Sequence, residues 1–247
     1  MRSILPLSAT LCAAAFCLGA QAQSYPSGPV KMLIPFAAGS ATDVYARLVA
    51  KHLSDAFGQT FVVEPRPGAN GSIAAQQVAK AKPDGLTLFF TTNTTHAANP
   101  SLMKQMTYDP VKDFDPVTKL GGVAFFMAVA TSSPYKSVQD IVDAARAQPG
   151  KVSYGSGNSV GIISGAILQK ETGTVMTHVP YKSTPQAIVD VVSGQVCFMM
   201  VDLSLSRPHV KSGRAKLLAV ATIKRSTLAP DLPSMAELGF KGYATPA

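Results

Sequence analysis

Hydrophobic positions along this chain switch repeatedly between continuous apolar runs and helical spacing. Val30 to Phe36 reads as a buried strand, and Tyr45, Leu48, Val49 and Leu53 then recur with the period of a helix that should stop at Gly58. Phe61 to Val63 predicts a second strand. After the loop Pro65 to Gly71, Ser72 is placed to cap a helix running through Lys80. Pro83-Asp84-Gly85 predicts a turn into a strand over Leu86 to Phe90.

A second block follows Pro100. Asp109-Pro110 and Asp115-Pro116 mark loops, and Val123 to Ala130 reads as a strand. Ser137 and Asp140 have the spacing of a capping box for a helix ending near Pro149-Gly150. Strands are predicted over Val152 to Tyr154, His178 to Tyr181, Val196 to Val201 and Leu217 to Thr222. Between them lie helices over Ile162 to Lys170 and from Thr184-Pro185 to Gly194. Pro233 to Phe240 reads as one more helix and its stop. Such alternation predicts an α/β fold with largely parallel sheets.

The N-terminus changes the picture of where the protein works. Residues 1–22 carry a charged Arg2, an apolar stretch from Ile4 to Gly19 and an Ala20-Gln21-Ala22 cleavage pattern, so they read as a secretory signal peptide cleaved near Ala22. The alternative is an N-terminal membrane anchor, but the apolar run is short and no stop-transfer flank follows, which favours the signal peptide. Cleavage removes Cys12 and Cys17 and leaves Cys197 alone, which excludes an intramolecular disulfide and a cysteine-based metal site. The formal net charge is +8, but the Lys and Arg residues are scattered without a basic run or a basic–aromatic cluster. That argues against nucleic acid and for a general attraction of anionic metabolites.

Pro35 to Asp43 is the strongest candidate for chemistry. Small residues from Ala37 to Ala41 let backbone approach a ligand, and the loop opens a helix N-terminus, where backbone N–H groups favour an anion. Asp43 is placed to cap amides or hold a bridging water; the alternative is an ordinary strand–helix connection with Asp43 as a structural cap. Gly157-Asn158-Ser159-Val160-Gly161 matches the nucleophile elbow of serine hydrolases, with Asp202 and His209 following in the right order. Against it stand a short polar strand before the motif and no HGGG-type oxyanion segment upstream. A dinucleotide fingerprint at Gly155, Gly157 and Gly161 lacks an acidic partner. The preferred reading is a second anion-friendly helix start, with Ser156, Asn158 and Ser159 offering hydrogen bonds. Asn93, Thr94, Thr95 and His96 form a polar cluster after a strand end, where open sheets bind ligands. Asp202 ends an apolar strand, where a carboxylate receives a ligand ammonium or pins a loop. The four histidines show no metal-ligand spacing.

Several segments together resemble one family. They are Pro35-Phe36 with Gly39 and Asp43, Arg66-Pro67-Gly68-Ala69, Pro83 to Leu88, Tyr108-Asp109-Pro110 with Asp113-Phe114, Tyr154-Gly155-Ser156, His178 to Lys182 and Leu218 to Thr222. In this order they are similar to the Bug proteins, periplasmic substrate-binding receptors of tripartite tricarboxylate transporters. The resemblance implies a two-lobed Venus-flytrap fold, with lobe one over 25–104 plus 223–247 and lobe two over 105–222. It implies capture of a small carboxylate and delivery to membrane transporter subunits, with no enzyme activity, no cofactor and a periplasmic monomer. By that pattern Phe36, Ala37, Gly39, Ser40 and Asp43 form the main clamp. Asn93 to His96 and Ser156 to Ser159 add contacts from either side of a cleft. The family's Pro-Gly-Gly loop is replaced here by Ala38-Gly39-Ser40. The family also continues past residue 247, so a C-terminal truncation that leaves lobe one incomplete is expected.

Overall fold

The computed structural model describes residues 25–241. The expected signal peptide and its cleavage site lie outside the described residues. The first half carries β1 (Val30–Ile34), α1 (Ala41–Phe57), β2 (Phe61–Pro65), α2 (Ser72–Ala79), β3 (Thr87–Phe89), a π-helical turn (Thr94–Ala98) and the short α3 (Asn99–Leu102). Its sheet is parallel, in the order β2-β1-β3. The second half carries β4 (Phe125–Ala130), α4 (Val138–Ala147), β5 (Ser153–Ser156), α5 (Ser159–Thr172), β6 (Thr177–Pro180), α6 (Thr184–Val192), β7 (Phe198–Asp202), α7 (Leu203–Lys211) and β8 (Ala215–Val220). Its sheet has the order β6-β5-β7-β4-β8.

Parallel pairing holds from β5 to β6 and from β5 to β7, but β4 runs antiparallel to both neighbours, β7 and β8. The alternation of strands and helices therefore gave the β-helix-β units correctly and missed the direction of β4. The reason is local: β4 is entered from a long irregular connection without a crossover helix, so nothing forces it parallel.

The period-based reading of α1 caught one edge of its buried face, Val49 and Leu53, and missed the centre. Ala46 and Ala50 are buried against Val30, Met32, Ile34 and Phe61, with Val49 and Leu53 packed beside them, while Tyr45 and Leu48 are exposed. Small residues let α1 lie close on β1 and β2, and a hydrophobicity pattern underweights alanine. Gly58 does end α1 in the left-handed conformation. At α2 the cap is Gly71, also left-handed, and Ser72 is the first helical residue rather than the cap.

The second core is larger. Every residue of β7 is buried, and Phe198 and Met200 pack with Met127, Ile141, Leu168 and Tyr154. Full burial of side chains such as Phe198 and Ile141 contributes about 1.5–3 kcal/mol each. Ser137 and Asp140 form the capping box that their spacing predicts. Residues 233–240 do not form the expected helix. They turn against β8, with Met235 N–H donating to Val220 O, and bury Met235 and Phe240 among the second core. The described part of 223–247 thus packs on the second sheet instead of the first, because its apolar residues complete that core. No helix of the described residues is long and apolar enough to cross a membrane.

Candidate functional site

The loop after β1 is held open by its own first helical turn. Ser40 caps α1, its Oγ accepting the Asp43 N–H at 3.3 Å. Asp43 is buried and folds back, so that Oδ2 accepts the Gly39 N–H at 3.0 Å and Oδ1 accepts Arg47 Nε at 2.9 Å. Arg47 is one helical turn on, which makes this an i,i+4 ion pair at the start of α1. Asp43 is therefore the organiser of the loop. Ala37 N–H donates to Ser183 Oγ at 3.1 Å, and Ser40 N–H to Ala37 O at 3.2 Å. Among the described residues, the N–H groups of Phe36, Ala38, Ala41 and Thr42 meet no protein acceptor. Ala41 and Thr42 are the first two residues of the 17-residue α1, where the helix dipole favours negative charge, and Phe36 and Ala38 lie in the loop before it. The Phe36 side chain is buried.

Gly71 fixes the underside of this loop. It has a φ of +80°, and an added Cβ would lie 2.6 Å from Pro35 Cβ and 2.8 Å from Thr95 Cγ2. The loop after β1 and the π-helical turn after β3 are thereby packed as one surface. In that turn Thr94 Oγ1 lies 2.8 Å from Ser159 Oγ, across to the second half. Thr95 Oγ1 bonds with Thr91 Oγ1 at 2.6 Å and with His96 Nδ1 at 2.8 Å. The His96 ring packs on Phe114 and Phe89, and its burial lowers its pKa. Asn93 is half-buried, and its side chain has no protein partner among the described residues.

On the second half, Asn158 caps α5, its Oδ1 accepting the Gly161 N–H at 3.0 Å, while Nδ2 reaches Thr184 Oγ1 at 3.4 Å. Ser156 is buried, and its Oγ lies 2.6 Å from His178 Nε2. The sequence reading missed this pair because the two residues sit on adjacent strands, where Tyr154 is level with His178. His178 stacks on Tyr154 with ring centroids 5.0 Å apart, and burial lowers its pKa. Asp202 is buried and caps α7: Oδ1 accepts the Leu205 N–H at 3.0 Å and the Ser204 hydroxyl.

The elbow motif does not assemble a hydrolytic triad. Ser159 is fully buried with its hydroxyl on Thr94, Asp202 is engaged by Ser204 and Leu205, and His209 Nδ1 is buried without a partner. The two glycines of the motif have packing roles instead. A Cβ on Gly157 would lie 2.2 Å from Ser183 C and Thr184 N, and one on Gly161 would lie 2.6 Å from Ser156 Cβ. Among the described residues no group of three or more His, Cys, Asp or Glu side chains is placed to hold a metal ion.

The structure thus brings together the loop after β1, the turn after β3 and the starts of α5 and α6. Most side-chain polar atoms of the predicted site residues are engaged within the protein, and backbone donors remain open. Ser183 was missed. In the sequence, Ser183-Thr184-Pro185 reads only as a helix start, and nothing local shows that its hydroxyl crosses to Ala37.

Residues 45–247 match the family model described as tripartite tricarboxylate transporter family receptor. The chain belongs to this family. As a family member it is 41% identical over 228 residues to a UPF0065 protein of Bordetella bronchiseptica, covering 92% of this chain and 68% of the relative. It is similar in structure to R. palustris Rpa4515 with adipate, at a TM-score of 0.86 and 37% identity, over 90% of this chain and 75% of that one. MatC from Rhodopseudomonas palustris with bound malate aligns at a TM-score of 0.83 and 29% identity, over 90% of this chain and 76% of that one. The receptor's mixed α/β architecture with two sheets is that of periplasmic binding proteins.

Proposed function

We propose that this receptor is a periplasmic solute-binding protein that captures a small carboxylate between its two halves and delivers it to a tripartite tricarboxylate-type membrane transporter. The halves of the cleft are 25–104 and 105–222. The observation that carries the reading is the set of open N–H groups at Phe36, Ala38, Ala41 and Thr42, beside a loop that touches Ser183 of the other half. A carboxylate there gains charge-assisted hydrogen bonds of about 1.5–3 kcal/mol each. Three or four of these, with exclusion of water, reach the roughly −8 kcal/mol of a micromolar binder. Adipate and malate in the two structural neighbours support a small aliphatic diacid as the ligand class. On this reading Asn93, whose side chain has no protein partner among the described residues, reads the rest of the molecule, Asn158 holds the start of α5, and Asp43 acts by shaping the loop.

On this reading the protein acts as a binder and not as an enzyme. A thermal-shift screen against small mono-, di- and tricarboxylic acids tests the reading. A shift with one acid or a related set is expected. A cooperative melt that no carboxylate moves would overturn it. A fluorophosphonate probe should leave Ser159 unlabelled, and labelling would favour the hydrolase instead.

A further inference from the structure

Two residue pairs join the halves of this molecule directly through hydroxyl groups, protein to protein. Thr94 Oγ1 and Ser159 Oγ lie 2.8 Å apart, and Ser183 Oγ accepts the Ala37 N–H at 3.1 Å. Thr94, Ser159 and Ser183 are at most 1% exposed. Ser183 occupies the capping position of α6, where serine ordinarily accepts an amide of its own helix. Here its side chain caps nothing in α6 and is committed to the opposite half.

Each side of these contacts is tied into one unit. On the second half, Gly157 lies flat against the Ser183–Thr184 peptide and Asn158 Nδ2 reaches Thr184 Oγ1, so Ser159 and Ser183 move together. On the first half, Gly71 packs between Pro35 and Thr95, which couples Ala37 to Thr94. Two contacts leave the units only rotation about the line that joins them, whereas one would act as a free pivot.

We propose that Thr94–Ser159 and Ala37–Ser183 form a closing latch, which keeps the halves together before ligand arrives. Resting on the cleft reading above, the latch sets affinity through the closed fraction, since apparent affinity scales with the population competent to bind. Its residues are positioning residues. All the groups are neutral, so losing a partner leaves a hydroxyl or amide that water satisfies only in the open form.

The test needs no ligand. Small-angle X-ray scattering of the ligand-free protein should give the radius of gyration of the closed structure. Thr94→Val combined with Ser183→Ala should enlarge it, the ratio of closed to open falling roughly tenfold for each hydrogen bond removed. Thr94→Ser, which keeps the hydroxyl, should stay compact. If the double variant melts without cooperativity, Ser159→Ala gives the same comparison with a smaller change. A ligand-free wild type that is already expanded would overturn the latch, as would a folded double variant as compact as wild type. A failed carboxylate screen would leave this measurement readable, so the latch and the proposed function fail separately.

Discussion

Asp43 Oδ2 accepts the Gly39 N–H at 3.0 Å while its Oδ1 takes Arg47 Nε at 2.9 Å, so one buried carboxylate joins the loop to the helix it opens. The carboxylate holds Gly39 in its left-handed turn, at a φ of +79°, and so orients the neighbouring amides. Asp43→Ala should weaken carboxylate binding at least tenfold, about 1.4 kcal/mol, with the fold intact. Titration calorimetry beside circular dichroism checks this, and unchanged affinity would deny Asp43 that organising role.

Gly157 presents the most crowded backbone position near the site. A Cβ there would meet the Ser183–Thr184 peptide at 2.2 Å, and a peptide group has no rotamer by which to give way. Gly157→Ala should destabilise the protein by about 1–3 kcal/mol, as overpacking does, and also lower affinity by shifting Ser183. Denaturant melts and a binding titration together test this pair of effects. Gly173→Ala, with open space for a Cβ but a φ of +63°, is a control for backbone strain alone.

How much of this was legible in the sequence differs by level. Gly58, the Ser137–Asp140 box and the strand–helix alternation are local signals, and each gave its element. The direction of β4, the packing of residues 233–240 and the buried face of α1 depend on partners distant in the chain. Alanines at 46 and 50 carry too little hydrophobicity to announce the face they bury. The candidate site was legible as a loop and illegible as a set of atoms. Ser40 and Asp43 have cap spacing, but nothing local tells that Ser156 pairs with His178, or Thr94 with Ser159.

Stability should fall with acid in a window set by histidines. Burial lowers the pKa of His96 and His178, and for His209 burial is joined by the nearby Arg214. The folded state binds protons less readily than the unfolded state, whose histidines titrate near about 6.5. The stabilisation is therefore full above that pH and is lost as pH falls through the lower folded values. Melting temperatures from pH 7.5 downward should decline from just below neutrality, and His178→Asn should flatten the decline. A melting temperature that rises over that interval would contradict the assignment.

Capping of α4 offers a check on local energetics away from the site. Ser137 Oγ accepts the Asp140 N–H at 3.1 Å, and Asp140 returns bonds to the Ser137 and Lys136 amides. Ser137→Ala should cost about 1 kcal/mol without altering ligand affinity. An equal loss of affinity in calorimetry would mean that α4 is coupled to the cleft.

The central claim is that backbone N–H groups of the loop after β1 read a carboxylate. The direct measurement is calorimetry of the chain with the acid that shifts its melting most, compared with the carboxamide of the same acid. A cradle made only of donors should bind the amide at least tenfold more weakly, because its NH₂ accepts no hydrogen bond and the charge is gone. Equal affinity for acid and amide would show that the loop does not recognise a carboxylate, and the proposed function would fall with it.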